Sequence, residues 1–376
     1  MLRIGILTYH KSKNYGAYLQ AYALCSRLNE EKDIKAEIID YNMKISNDFY
    51  NGLYNKKYSL KEKIKKRDYI KFYKELDKSF NKSYKIMTLS PFELCSDSID
   101  AIVEDINERY DMIITGSDEI WKVDGFRGFP TPYWLPFDYK GIKASYAASS
   151  RTDLSNVDKE KVDMVHDLIS DYKVVSVRDQ KTYDEFKKKA KIDNKIYLMP
   201  DPTLVYEFKD KSYKGKDILA SNKKIDHNKK IAVVMTDNKL LVSKIVELYS
   251  SEYNIVSVFH YHDNCINIAN LNPFEWMSVI AASDFAFVTY FHATCFSIIN
   301  NKKFLVFGVP GKSDKTSEVL KESNNMDRFI TFDENTTNEE IDKAYKKCLK
   351  EKDNSKFLKE CRAKFEDYLK IIRKAK

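Results

Sequence analysis

No two cysteines of this chain lie close together: Cys25, Cys95, Cys265, Cys295, Cys348 and Cys361 are scattered, and CxxC does not occur. That spacing excludes a disulfide framework and a zinc ribbon, and it leads us to expect a reducing, cytoplasmic setting. No apolar run approaches the roughly 18 residues of a membrane span. The opening Met1-Leu2-Arg3-Ile4-Gly5-Ile6-Leu7 has too short an apolar stretch for a signal peptide. Internal repeats and low-complexity tracts are absent as well, beyond a bias to lysine.

What the chain does have is length and concentrated charge. With 376 residues it exceeds one ordinary core, and about 150 residues per domain points to two domains. The net charge of +8 gathers in one place, because residues 55–85 hold 12 Lys/Arg against 4 acids, a difference equal to the whole-chain excess. Within that stretch Leu60, Ile64, Tyr69, Tyr73, Leu76 and Phe80 fall at helical spacing, which predicts a basic amphipathic helical insertion. Two readings of it stand. One is a lysine-rich solvated face over an apolar seam packed on the main body. The other is a surface that makes peripheral contact with an anionic membrane at its inner face, or with a phosphorylated lipid-linked acceptor. Nucleic acid is not an expected partner, since no nucleic-acid module or stacking platform accompanies the charge.

The apolar segments alternate with helical ones. Leu2–Thr8, Ala36–Asp40, Met112–Thr115, Ala144–Ala148, Val174–Val177 and Ile196–Met199 read as short buried strands, and Ala17–Leu28 as a helix. A second series follows: strands Ile231–Met235, Asn254–Phe259, Phe285–Thr289 and Lys303–Phe307, with helices Lys239–Tyr249 and Pro273–Ala282. The expected division is a Rossmann-like domain over 1–206 carrying the insertion at about 55–85, a polar linkage over 207–229, a second Rossmann-like domain over 230–337, and a charged helical tail over 338–376. That tail either closes the second domain or crosses back onto the first. An α/β fold of two Rossmann-like domains facing across a cleft is the GT-B-like glycosyltransferase architecture, with ligand sites at the carboxyl ends of both sheets.

Several segments place reactive side chains at those strand ends. Asn14-Tyr15-Gly16-Ala17 opens a helix, and Gly16 there permits close backbone approach to a ligand, though a plain βα turn accounts for it equally. Thr115-Gly116-Ser117-Asp118-Glu119-Ile120-Trp121 follows a strand directly; Asp118 either orients an acceptor hydroxyl or acts as a base, unless it or Ser117 merely caps the next helix. Arg178, in Ser176-Val177-Arg178-Asp179, is placed to clamp a phosphate or carboxylate, or else to pair with Asp179 or a surface acid. Asp201-Pro202-Thr203-Leu204 reads as a turn. In Thr289-Tyr290-Phe291-His292-Ala293-Thr294-Cys295-Phe296-Ser297, His292 stands where a strand passes into a helix expected over Thr294–Asn300, a proton-transfer candidate beside the anion-binding backbone of Ala293–Cys295. His260, His262 and Asp263 alternate at a strand end, where satisfied strand-end histidines explain them better than a metal; His10, His166 and His227 show no surrounding pattern.

In this order the segments resemble the polysaccharide pyruvyl transferase family. The resemblance rests on the opening strand Gly5–His10, the NYGA loop and Leu19-Gln20-Ala21-Tyr22-Ala23-Leu24, then Gly116-Ser117-Asp118-Glu119-Ile120-Trp121. Tyr133-Trp134-Leu135-Pro136-Phe137 and Ser145-Tyr146-Ala147-Ala148-Ser149 follow, then Ser176–Asp179, Asp201–Leu204 and Phe291–Ile299. Three positions depart from the family pattern: Asp179 stands for the usual Glu, Tyr290 where some members carry arginine, and Ala293 where glycine is frequent. The resemblance implies transfer of a pyruvyl group from phosphoenolpyruvate, as co-substrate and with no further cofactor, onto two hydroxyls of a sugar or lipid-linked saccharide. It implies His292 and Asp118 as catalytic residues, with Arg178, Asn14, Tyr15, Gly16, Gly116, Ser117, Ser149, Ala293 and Thr294 binding substrate. Two other functions stay open, a nucleotide-sugar glycosyltransferase of the same fold and a non-catalytic binding or assembly protein on this scaffold. Acceptor, linkage and oligomeric state are not legible.

Overall fold

The computed structural model describes residues 1–54, 58–208, 214–309 and 314–376. By its contacts the chain falls into two compact units, one made of Met1–Leu53, Tyr84–Glu207 and Lys359–Lys376, the other of Tyr54–Ser83 and Phe208–Leu358.

The first unit is built on parallel strands β1 (Leu2–Leu7), β2 (Ile34–Asn42), β3 (Leu89–Cys95), β4 (Met112–Thr115), β5 (Ile142–Ser145), β6 (Val175–Val177) and β7 (Ile196–Leu198). Five of them form a sheet in the order β3-β2-β1-β4-β5, and the β6–β7 ladder joins β5 through isolated parallel bridges Ala144–Val174 and Ala148–Val177. Central strands covered on both faces read as unbroken apolar runs, and Met112-Ile113-Ile114-Thr115 is buried throughout. The edge strand β3 escapes a sequence reading because it alternates half-buried and exposed residues and carries Pro91, which only an edge tolerates.

In the second unit β8 (Lys230–Met235), β9 (Tyr253–Ser257), β10 (Ile266–Asn267), β11 (Phe285–Val288), β12 (Phe304–Gly308) and β13 (Phe329–Thr331) make a parallel sheet ordered β10-β9-β8-β11-β12-β13. Its helices start where the sequence announces them: Asn238 caps Lys239–Tyr249, and Asn272 with Glu275 forms a capping box on Pro273–Ala282. The short strands β10 and β13 carry too few residues to show a pattern.

Two segments sit apart from the sequence-based division. The insertion is expected within the N-terminal domain, but its described residues 58–83 belong to the second unit, and the chain returns to the first at Tyr84. Its main helix Arg67–Ser83 buries Phe72, Leu76 and Phe80, one residue per turn, and Tyr69 and Phe72 lean on the Tyr261 ring at 5.7 and 5.9 Å. The solvated-face reading therefore describes this helix, although the buried seam runs through Phe72 rather than Tyr69 and Tyr73. Lys56 and Lys57, and residues 209–213 of the expected linkage, lie outside the described residues. The tail breaks into Asn338–Lys347 and Ser355–Ala375; Phe357 and Leu358 are buried in the second unit, and from Lys359 onward the chain belongs to the first. There the Tyr368 hydroxyl donates to the Ser145 carbonyl at 3.1 Å, the Tyr146 ring meets Phe365 and Tyr368, and Arg373 forks onto Asp33. Among the described residues no helix is long and apolar enough to cross a membrane.

Candidate functional site

At the carboxyl end of the first sheet the loop after β4 is pinned from several sides. The Ser117 N–H donates to Gln20 Oε1 at 3.1 Å, Gln20 Nε2 donates to Thr8 Oγ1 and the Ala17 carbonyl, and the Ser117 hydroxyl donates to the Ala147 carbonyl at 3.0 Å. Gly116 has φ +118°, and a Cβ there would lie 2.2 Å from the Tyr146 carbonyl oxygen, so the loop passes where only glycine fits. The backbone of Asp118 turns to φ +77° and its carbonyl accepts from the Ser149 N–H at 2.9 Å. Trp121 goes into the core, stacked on Trp134 at 5.5 Å. Of Gly116, Ser117 and Asp118, only Asp118 is partly exposed.

Arg178 lies behind that carboxylate. Its Nη1 donates to Asp201 Oδ2 at 2.8 Å and its Nη2 is 3.7 Å from Asp118 Oδ1, with the Arg178 and Asp201 side chains 3% and 0% exposed. Burial works against the guanidinium's charge, but Asp201, Asp118 and Asp179 outweigh it and raise its pKa. Asp201 Oδ1 also caps the Pro202–Val205 turn through the Thr203 N–H and hydroxyl. Arg178 is thus a buried pin between two carboxylates rather than an open clamp, and its principal partner is Asp201. Asp179 caps the next helix through Thr182 and accepts from the Ser149 hydroxyl at 2.6 Å.

Asn14 is exposed and its side chain accepts from the Gly16 and Ala17 N–H groups, so this helix start is occupied by its own cap. Tyr15, Gly16, Gly116, Ser117 and Ser149 are buried.

Tertiary structure adds groups with no signal in the sequence. His10 Nε2 lies 3.0 Å from Asp40 Oδ1, and Lys11 Nζ reaches the same oxygen at 2.6 Å. Burial would raise the Asp40 carboxyl, yet hydrogen bonds from His10 and Lys11 hold it below the usual carboxylate range. Parallel pairing aligns Ile6 with Ile38, so the end of β1 meets Asp40. That register is the one clue, and it needs the strand pairing. Arg151 Nη1 bonds Glu119 Oε1 at 3.1 Å, with both side chains about one quarter exposed (23% and 24%). Arg127 sits between the Tyr9 and Phe126 rings at 4.3 and 4.4 Å and donates to Ser46 Oγ. Phe126 in turn meets Phe49 at 5.0 Å, and both rings are about half exposed (50% and 48%).

In the second unit the helix after β11 begins at Phe291, three residues before the expected Thr294, with Tyr290 as its cap. His292 therefore stands in the first turn, where N–H groups have no acceptor within the helix. The Thr294 N–H and hydroxyl are both spent on the Tyr290 carbonyl, at 3.0 and 3.1 Å, which leaves Ala293 as the first-turn member of the expected Ala293–Cys295 cradle. Ala293 and Thr294 are buried; His292 is partly exposed. Tyr290, in the arginine position, places its hydroxyl 2.9 Å from His260 Nε2. Burial pushes His260 down to about 4, with Asp237 opposing the effect and His262 adding to it, so a neutral imidazole meets a phenol. His262 turns away, its Nε2 2.9 Å from the Thr236 carbonyl. Among the described residues no group of three His, Cys, Asp or Glu is arranged to hold a metal.

Comparison with solved structures identifies the fold. A Neisseria meningitidis UDP-GlcNAc 2-epimerase bound to UDP-GlcNAc is similar with TM-score 0.56 at 11% identity, covering 98% of this chain and 100% of that one. The S. aureus MnaA co-structure with UDP gives 0.54 at 12%, covering 99% and 98%. Arabidopsis thaliana UGT89C1 complexed with quercetin gives 0.51 at 8%, covering 96% and 93%. The fold is accordingly of GT-B type, with parallel sheets in two Rossmann-like sets. Among curated proteins no sequence matches. The family model described as polysaccharide pyruvyl transferase matches residues 14–310, from the Asn14 cap through Asp118 and Arg178 to the His292 helix, and the chain belongs to that family.

Proposed function

We propose that the protein moves the pyruvyl group of phosphoenolpyruvate onto two hydroxyls of a sugar in a cell-surface polysaccharide precursor, forming a cyclic ketal and releasing phosphate. The observation that carries this reading is the family match over residues 14–310, which includes the loop that presents Asp118 at a strand end. In the reaction a proton adds to the methylene carbon of the donor while the first sugar hydroxyl adds to the neighbouring carbon. The second hydroxyl then displaces phosphate from that carbon. Of the two hydroxyl protons, one is balanced by the new C–H bond and the other leaves with phosphate. No electron acceptor is needed, so the donor is a co-substrate and no redox cofactor enters.

His292, partly exposed in the first turn of its helix, is the proton donor to carbon, and the helix start favours the donor's negative charge. Asp118 receives and orients the acceptor hydroxyl. Arg178 is a positioning residue that fixes Asp118 and Asp201. Arg151 and Arg127, which retain solvent access, are the cations for phosphate and carboxylate, and the Phe49–Phe126 pair is a stacking surface for sugar rings.

The test is incubation with phosphoenolpyruvate and a panel of lipid-linked and nucleotide-linked sugars, following phosphate release and the mass gain of a pyruvyl ketal. His292→Ala is expected to lower turnover about 10²- to 10⁴-fold with the melting temperature unchanged; normal turnover would remove His292 from the mechanism. A second reading takes its motive from Tyr290 and neutral His260 in the place of a cation: a binding or assembly protein, which neither phosphoenolpyruvate nor a nucleotide sugar would bind. Binding of UDP-GlcNAc, the ligand of the Neisseria epimerase, without use of phosphoenolpyruvate would mark a nucleotide-sugar enzyme instead.

A further inference from the structure

We infer that the short helix Leu60–Lys65 docks the second unit on an anionic membrane surface, with Leu60 and Ile64 entering the boundary between headgroups and acyl chains. The two aliphatic side chains are each 80% exposed, one helical turn apart, whereas the next helix buries Phe72, Leu76 and Phe80. Within one insertion, then, one apolar seam is used in packing and the other is left in water. The exposed seam is not a frayed end. Ser59 and Glu62 close a full capping box, with the Ser59 hydroxyl accepting from the Glu62 N–H and the Glu62 carboxylate accepting from the Ser59 N–H.

Charge decides what covers this seam. Lys61, Lys63, Lys65, Lys66 and Arg67 surround Leu60 and Ile64 and all are exposed. Across residues 60–67 these five cations stand against one acid, Glu62, and residues 55–85 together carry an excess of cations equal to the net charge of the whole chain. Lysines beside two exposed aliphatic residues suit an interface of acidic lipid, where ammonium groups meet phosphates and methyl groups leave water. A nucleic acid would engage the lysines and leave Leu60 and Ile64 idle. A protein partner is a poorer fit, because lysine is depleted in such interfaces.

The inference does not depend on pyruvyl transfer and is read separately from it. The full chain would be co-sedimented with vesicles of phosphatidylcholine mixed with phosphatidylglycerol, and with vesicles of phosphatidylcholine alone. Binding to the mixed vesicles is expected to weaken with added salt and to be at least about 10-fold tighter than to the neutral ones, given roughly a factor of five per engaged lysine. The pair Leu60→Ser and Ile64→Ser should lower binding by about 10-fold or more with the melting temperature unchanged, since both residues are exposed. Lys63→Glu with Lys65→Glu should lower it similarly. Absence of binding to the mixed vesicles, equal binding to neutral ones, or retention by the serine pair would each overturn the inference. So would binding to duplex DNA or polyuridylate that competes with the vesicles and ignores the serine pair. Phosphate release in the pyruvyl transfer assay, positive or negative, leaves these outcomes as they stand.

Discussion

Replacing Arg178 with methionine is expected to destabilise the first unit by about 3–5 kcal/mol, the cost typical of breaking a buried ion pair from one side. The structure supports the upper part of that range. Asp201 is fully buried, its Oδ2 loses the Arg178 Nη1 bond of 2.8 Å, and Asp118 loses the charge 3.7 Å away that balances it. A hydrogen bond to a charged group accounts for about 1.5–3 kcal/mol, and the uncompensated buried carboxylate supplies the remainder. Asp201 keeps its two bonds from Thr203, so the cost stays below that of a bare buried charge. For a unit of this size the loss corresponds to a fall of about 6–20 °C in melting temperature, measurable by calorimetry alongside urea unfolding. Adding Asp201→Asn removes the second charge, and the double variant should recover at least about 2 kcal/mol of the single-variant loss. A loss under about 1 kcal/mol for Arg178→Met, or strictly additive effects in the double variant, would refute the buried pin.

Three further outcomes are expected. His260 is held neutral by burial with its pKa near 4, against about 6.5 unfolded, so the unfolded chain binds the extra proton between those values. Stability of the second unit should therefore fall by about 1–3 kcal/mol as pH drops from about 6.5 to about 4, and thermal melts of His260→Gln should lack that slope. Gly116→Ala puts a Cβ 2.2 Å from the Tyr146 carbonyl oxygen at φ +118° and should cost about 3 kcal/mol or more; a normal melting temperature would mean that the loop runs elsewhere. Tyr290→Phe removes the hydrogen bond to His260 and should cost about 1 kcal/mol in urea unfolding.

Much of the fold is legible in the chain because buried parallel strands are apolar along their whole length. Met112–Thr115, Lys239–Tyr249 and Pro273–Ala282 match the sequence reading to the residue, and in the structure Asn238 and Asn272 cap the two helices. Strands β3, β10 and β13 are not legible, being an edge with a proline or too short to carry a period. The start of the His292 helix is placed too late because Tyr290-Phe291 reads as equally suited to strand or helix. Only its cap geometry settles the matter.

The sequence by itself determined the alternation of strand and helix, the order of the motifs and hence the family, because these depend on local propensity and residue identity. Which side chains face one another was decided by the tertiary structure alone. Arg178 finds Asp201 across 23 residues, His10 finds Asp40 across 30, and Tyr290 finds His260 across 30. Residues 58–83 of the insertion belong to the second unit, and the tail beyond 358 to the first. Such pairings depend on sheet register and on how much water each group loses, and neither quantity exists until the strands have met.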